Sequence, residues 1–271
     1  MVKIFVASFN RASDGAISKL VKKLKKESMY TNYYEEADYI LAVGDRKETH
    51  DFVLERFREN KKIIHLWAGE ISKFETHDDV YRHSMTLMSC LQLCTNNEAF
   101  NRVRKLCLAV GKEFNAEVVG NVMLDNLDEI DESLVPNHTY DLVLYNPPTT
   151  GTEIDVINEI GNIHRIRENF AREFGCYPYI WLDSNGDMYS ELIDKYVTHR
   201  NIPRHQFLGL LKNCNRFITN SSCSYYEAPF IMKNKNNIIH IGVRNAERES
   251  KTSNMSIPNA SENIMQILRK L

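Results

Sequence analysis

The feature that most constrains this chain is a regular alternation of short apolar runs with segments of helical period. VKIFVASF, ADYILAVGD (37–45), KIIHLWAGE (62–70), CLQLCT and AEVVGN (116–121) each read as a strand. Between them, Asp14 to Lys26, the stretch ending near Glu59, DDVYRHSMTLMS, and Asn97 to about Lys112 read as helices; in the first, Ile17, Leu20, Val21 and Leu24 share one face, with FNRASDG a short loop before it. After the acidic segment DEIDESLVPNHT the rhythm resumes: YDLVLYN, a helix from about Glu153 to Phe174, YPYIWLDS, a helix from Gly186 to about Tyr196, RFITNSS, NIIHIGV and a terminal helix in ASENIMQILRKL. Strands separated by helical crossovers pair in parallel with helices on both faces, so the fold class is α/β. The 271 residues, 43% hydrophobic, suffice for two modest cores. The simplest division is 1–130 and 131–271, joined near 126–138.

In open α/β sheets, ligands sit beyond the carboxyl ends of strands, so the groups after each apolar run carry the most weight: Arg11, Asp45, Glu70, Asn146, Asp183 and Asn220 to Ser222. The richest stretch is FITNSSCSYYEAP (217–229), with GVRNAER following at 242–248. A helix starting at Asn220-Ser221-Ser222 would present unpartnered backbone N–H groups, the positive end of the helix dipole and two hydroxyls, a set suited to a diphosphate. Glu227 is placed to accept hydrogen bonds from a ribose diol and Phe207 to flank a flat base. An ordinary strand, cap and helix without a ligand would leave the same local pattern.

Asp45, Glu70 and Asp78 or Asp79 follow strands of the first half. Brought together, their repulsion would raise at least one pKa and set a proton donor beside an acceptor, as proton transfer at carbon requires; taken singly, Asp45 and Asp78 read as helix caps. Arg11 suits a phosphate clamp or an ordinary surface position. His164, in IHRIRENF, falls mid-helix, and His65 and His83 read as structural. The six cysteines lie in or beside apolar segments and read as small buried thiols, neither disulfides nor metal ligands. A net charge of −2 gives no global field for nucleic acid or an anionic membrane. Without an apolar run of membrane length or a signal-peptide pattern at Met1, the expected compartment is the cytoplasm.

In colinear order, VGDRKE, HLWAGE, DDVYRHSMT, VVGNVMLDNL, FLGLLKN from Phe207, ITNSSCSYYEAP and IGVRNAER resemble the UDP-N-acetylglucosamine 2-epimerases, most closely the hydrolysing branch, which makes N-acetylmannosamine and UDP. The likeness covers about residues 37 to 250. It implies a GT-B-like fold, two Rossmann-like parallel-sheet domains with an interdomain cleft, and a UDP-sugar such as UDP-N-acetylglucosamine as substrate. By position it implies that Asn220, Ser221 and Ser222 hold the diphosphate, Glu227 the ribose and Phe207 the uracil. Arg244 and Arg248 would lie near the phosphates, Arg11 matches the arginine of the first-strand loop, and Asp45, Glu70 and Asp78 match the acidic catalytic positions. No cofactor or metal is implied, and a homodimer is possible.

The chain departs from that pattern. Asn146 stands where the family carries a catalytic histidine, and an amide does not exchange a proton near neutral pH. The first domain is short by one or two strand-helix units, HLWAGE brings in the bulky Trp67 where the hydrolysing branch usually has Gly-Gly-Glu, and Ser224 stands where glycine is usual. A GT-B glycosyltransferase with a separate acceptor, or a non-catalytic UDP-sugar-binding protein, are the alternatives these departures raise.

Overall fold

The computed structural model describes residues 1–72, 77–148, 151–175, 178–184, 186, 188–243 and 257–271. The chain forms two compact units. The first begins with β1 (Ile4–Ala7), α1 (Arg11–Ala16), α2 (Ser18–Lys26), β2 (Tyr30–Thr31), β3 (Tyr39–Val43) and α3 (Lys47–Arg58). It continues through β4 (Lys62–Leu66), α4 (Asp78–Met88), β5 (Leu91–Cys94), α5 (Asn97–Ala109) and β6 (Ala116–Val118). All six strands are parallel, in the order β2-β1-β3-β4-β5-β6. Because side chains alternate across a sheet, Leu41 and Ile64 face one layer and Ile40 and Ile63 the other. The first layer packs with Leu20 and Leu24 of α2, the second with Val53 of α3 and Met85 of α4.

The second unit contains β7 (Asp141–Leu144), α6 (Glu153–Phe174), β8 (Tyr179–Trp181), α7 (Arg204–Asn213), β9 (Arg216–Thr219), α8 (Cys223–Tyr226), α9 (Ala228–Ile231) and β10 (Ile238–His240). Its four strands are parallel, in the order β10-β9-β7-β8. Leu142 and Phe217 pack under Leu208 and Leu211 of α7, while Val143 and Ile218 pack under Val156, Ile160 and Ile163 of α6. α6 starts at a capping box in which Thr152 and Asp155 bond reciprocally, which accounts for its sharp N-terminus.

The last helix, α10 (Ala260–Leu268), belongs to the first unit, whereas the division at residue 130 had placed everything from 131 to 271 in the second. Its apolar face, Ala260, Ile264, Met265 and Leu268, completes the layer over Ile4 and Leu41. The Asp125 carboxylate accepts from the backbone N–H of Ala260 at 3.2 Å and of Ser261 at 2.6 Å, capping the helix from a distant segment. Arg269 pairs with Glu27 and Lys23 with Glu262. Helical period alone reveals an apolar face, not the sheet that covers it.

Two further local expectations are corrected. FNRASDG is not a loop: the Asn10 side chain accepts from the Ser13 backbone N–H at 2.8 Å and starts α1 at Arg11. The helix expected from Gly186 to Tyr196 is reduced to a 3-10 turn at Ser190–Leu192. The chain there must return to the sheet edge, where Thr198 and His199 donate backbone N–H bonds to the Trp181 carbonyl at 2.8 and 3.3 Å.

Candidate functional site

Each sheet reverses its strand order once. In the first unit β1 has β2 on one side and β3 on the other, and in the second β7 lies between β8 and β9. At such switch points the loops leave the sheet toward opposite faces and open a crevice at the strand ends. Arg11 follows β1 and Asp45 follows β3; Asn146 follows β7 and Asn220 follows β9.

In the first unit the organising residue is Arg82 on α4, which is 2% exposed. Its guanidinium pairs with the Asp45 and Asp79 carboxylates and donates to the Glu70 backbone carbonyl at 2.9 Å. The Asp79 carboxylate also accepts from the Ser72 backbone N–H at 2.8 and 3.0 Å and from its hydroxyl at 2.9 Å. Asp45 and Asp79 are therefore bridged by a cation, where the sequence suggested carboxylates repelling one another. Asp78 is half-buried in the first turn of α4. Sequence reading weighed Asp79 only as a substitute for Asp78 and missed Arg82; the signal was the i, i+3 spacing of Asp79 and Arg82, which puts both on one helix face.

Glu70 is buried at the end of a pinned loop. Trp67 and Ala68 donate backbone N–H bonds to the Leu93 carbonyl at 3.1 and 3.3 Å, and Arg102 bonds the Gly69 carbonyl. Gly69 has φ +75°, and a Cβ there would lie 2.3 Å from the Ala99 carbonyl oxygen, so only glycine fits. Trp67 also adopts a left-handed backbone, φ 67°, uncommon for a bulky residue. Burial first, and then the nearby Glu70 and Cys107, push the Cys94 thiol up to about 12. His83 is held down at about 4, by burial first and then by Arg82 and Arg102.

In the second unit, the Asn220 amide accepts the Asn146 N–H at 2.8 Å and donates to the Asn146 carbonyl at 2.6 Å. Thr219 Oγ1 accepts from the Ser221 N–H at 2.9 Å and donates to the Leu144 carbonyl at 2.6 Å. These bonds shape a turn on which Ser221 and Ser222 remain half-buried. The following α8 has only four residues, because Pro229 lacks the N–H a continuous helix would need and the chain restarts as α9. The helix expected behind the serines is thus cut to a single four-residue turn, α8. Ser224 donates to the Ser221 carbonyl at 2.7 Å.

Glu227, 3% exposed, pairs with Arg204 on α7, and half-buried Phe207 lies one turn further along that helix. Arg204 was another residue the sequence reading passed over. Asp183 accepts from the Asn201 backbone N–H at 3.0 Å. Arg244 and Arg248 lie outside the described residues, as does the side chain of Arg11. Among the described residues, no group of three or more His, Cys, Asp or Glu is arranged to hold a metal ion, and no helix is long and apolar enough to cross a membrane.

The sequence profile of the UDP-N-acetylglucosamine 2-epimerases matches residues 6–271. The chain belongs to the UDP-N-acetylglucosamine 2-epimerase family. Among relatives of this family, the polysialic acid biosynthesis protein P7 of Escherichia coli is 27% identical over 241 residues, covering 82% of this chain and 59% of the relative. The UDP-N-acetylglucosamine 2-epimerase of Neisseria meningitidis serogroup B is 24% identical, covering 87% and 63%. The hydrolysing UDP-N,N'-diacetylbacillosamine 2-epimerase of Legionella pneumophila is 22% identical, covering 87% and 64%. The chain thus spans less than two thirds of the length of these epimerase relatives. The fold is that of the Methanocaldococcus jannaschii UDP-GlcNAc 2-epimerase solved with UDP-GlcNAc and UDP, at TM-score 0.72 and 15% identity, covering 100% of this chain and 99% of that one. The N. meningitidis enzyme solved with UDP-GlcNAc gives TM-score 0.69 and 14% identity over 100% and 99%.

Proposed function

We propose that this chain carries out epimerase chemistry on a UDP-N-acetylhexosamine: removal of the C2 proton, loss of UDP from C1 to leave a glycal, and addition of water with the new C2 hydrogen on the other face. The observation that carries this reading is Arg82 gathering Asp45, Asp79 and the Glu70 loop at the ends of β3 and β4. Proton transfer at carbon needs an oriented base, and a pinned carboxylate loses little orientational freedom on reaching the substrate. Asp45, Glu70 and Asp78 are the acid–base candidates.

In the second unit, Ser221 and Ser222, with the arginines at 244 and 248, would hold the departing diphosphate. Preorganised donors favour a leaving group whose charge grows as the bond breaks. Glu227, aimed by Arg204, would take the ribose hydroxyls and Phe207 would flank the uracil. We place the protein in the cytoplasm, in keeping with free, buried thiols at Cys94, Cys107, Cys214 and Cys223. As in the sequence reading, the substrate is UDP-N-acetylglucosamine or a close relative and the assembly a homodimer.

A second reading, transfer of the sugar to an acceptor, is favoured by Asn146, which is 4% exposed and occupies the histidine position with a group that cannot shuttle a proton. The test follows UDP release from UDP-N-acetylglucosamine, with and without added acceptors. Release without an acceptor, abolished by Glu70→Gln, supports the epimerase reading. Release only with an acceptor supports transfer, and binding without release supports a pure binding protein.

A further inference from the structure

His65 is buried on β4, and both of its ring nitrogens are engaged by partners 21 residues away in the chain. Nε2 lies 2.8 Å from the Gly44 carbonyl and Nδ1 lies 3.0 Å from Thr86 Oγ1. Gly44 immediately precedes Asp45, and Thr86 is one turn beyond Arg82 on α4, with its Oγ1 2.9 Å from the Arg82 carbonyl. One imidazole therefore spans the strand that carries Asp45 and the helix that carries Asp79 and Arg82.

The chemistry fixes the tautomer. A carbonyl only accepts, so Nε2 must carry the proton toward Gly44. Complete burial opposes a second proton and lowers the ring to about 4, so Nδ1 is the lone pair, and the single Thr86 hydroxyl proton is shared between Nδ1 at 3.0 Å and the Arg82 carbonyl at 2.9 Å. Gly44 is then held twice by β4, its N–H by the Leu66 carbonyl at 3.2 Å and its C=O by His65. Its φ of +82° makes the turn that swings Asp45 off the strand. Fixing the Gly44 carbonyl fixes the Gly44–Asp45 peptide plane, and with it the direction in which the Asp45 carboxylate leaves toward Arg82.

We propose that His65 is a positioning residue for the acidic site: it never meets substrate, and it sets the aim of Asp45 at Arg82 by tying the Gly44 carbonyl to α4 through Thr86. This rests on the reading of Asp45 as part of the reacting site, and it adds a residue that the sequence pattern offers only as structural.

The test compares His65→Leu, which fills similar space without hydrogen bonds, with His65→Gln, whose amide can still donate to the Gly44 carbonyl. His65→Leu is expected to lower kcat for UDP release roughly 10- to 100-fold with KM changed less than about threefold, because a misplacement near 1 Å acts on the reacting geometry more than on binding. His65→Gln is expected to recover most of that loss. Crystal structures of the two variants supply a readout independent of turnover: Asp45 leaves Arg82 in the leucine variant and remains on it in the glutamine variant. Should the leucine variant fail to fold, Thr86→Val removes the other anchor and is expected to lower kcat in the same direction by a smaller factor. Asp45 still paired with Arg82 in the leucine or valine variant overturns the proposal, whatever the activity of the parent protein. A parent that folds and never turns over a UDP-sugar overturns the proposed function instead, and the position of Asp45 in the variants still decides the role of His65.

Discussion

Asn220 closes a two-point clamp on the backbone of Asn146, accepting its N–H at 2.8 Å and donating to its carbonyl at 2.6 Å. The clamp joins the ends of β7 and β9, the two strands that flank the switch point of the second unit. Only an amide offers a donor and an acceptor in this arrangement. Asn220→Asp keeps the acceptor but sets a charged oxygen against the Asn146 carbonyl. We expect a loss of about 2 kcal/mol in urea unfolding, the cost of a buried polar group left facing the wrong partner. Unchanged stability would mean that the turn is held by Thr219 and Ser224 alone.

Arg82 is the equivalent centre of the first unit. Arg82→Met retains volume and removes the cation that Asp45 and Asp79 share. Removing one partner of a buried ion pair leaves the other charge uncompensated, so unfolding stability at pH 7 should fall by about 3 kcal/mol. Equilibrium denaturation checks this, and a loss below about 1 kcal/mol would place the pairs in the class of exposed, weakly coupled bridges.

Much of this architecture was legible in the chain, for reasons that differ by element. α6 runs from Glu153 to Phe174 as its period indicates, and the Thr152–Asp155 capping box supplies the local cause of its start. Strand-helix alternation gave the parallel sheets because a parallel pair requires a crossover. The partner of α10 was hidden because its capping group, Asp125, lies 135 residues away from Ala260 in the chain. Arg204 was missed for a related reason, because the sequence shows Glu227 but not the cation 23 residues away that orients it, whereas Arg82 was legible from its i, i+3 spacing with Asp79. His65 looked locally satisfied, and both of its partners lie 21 residues away.

Burial holds His65 and His83 at about 4, below the 6.5 of an exposed imidazole. Between those values the unfolded chain binds protons that the folded chain refuses. Their contribution is therefore full above about pH 6.5 and is lost as pH falls toward 4, at up to about 1.4 kcal/mol per pH unit for each histidine. Urea midpoints measured from pH 7 to pH 4.5 should decline, and His65→Gln should flatten the decline. A midpoint that rises over this range would contradict the neutral, buried assignment.

The Arg204–Glu227 pair links α7 to the residue proposed for the ribose. Arg204→Ala frees that carboxylate from its fixed direction, so UDP binding measured by calorimetry should weaken roughly tenfold, about 1.4 kcal/mol. Affinity equal to the parent's would separate Glu227 from the nucleotide.

The central claim, that the C2 proton of a UDP-N-acetylhexosamine is removed and replaced on this chain, is tested most directly in deuterated water. Incubation with UDP-N-acetylglucosamine, followed by mass spectrometry and proton NMR of the released sugar, should show one deuterium at C2 for each UDP released. Release of UDP with the original C2 hydrogen retained would contradict the account.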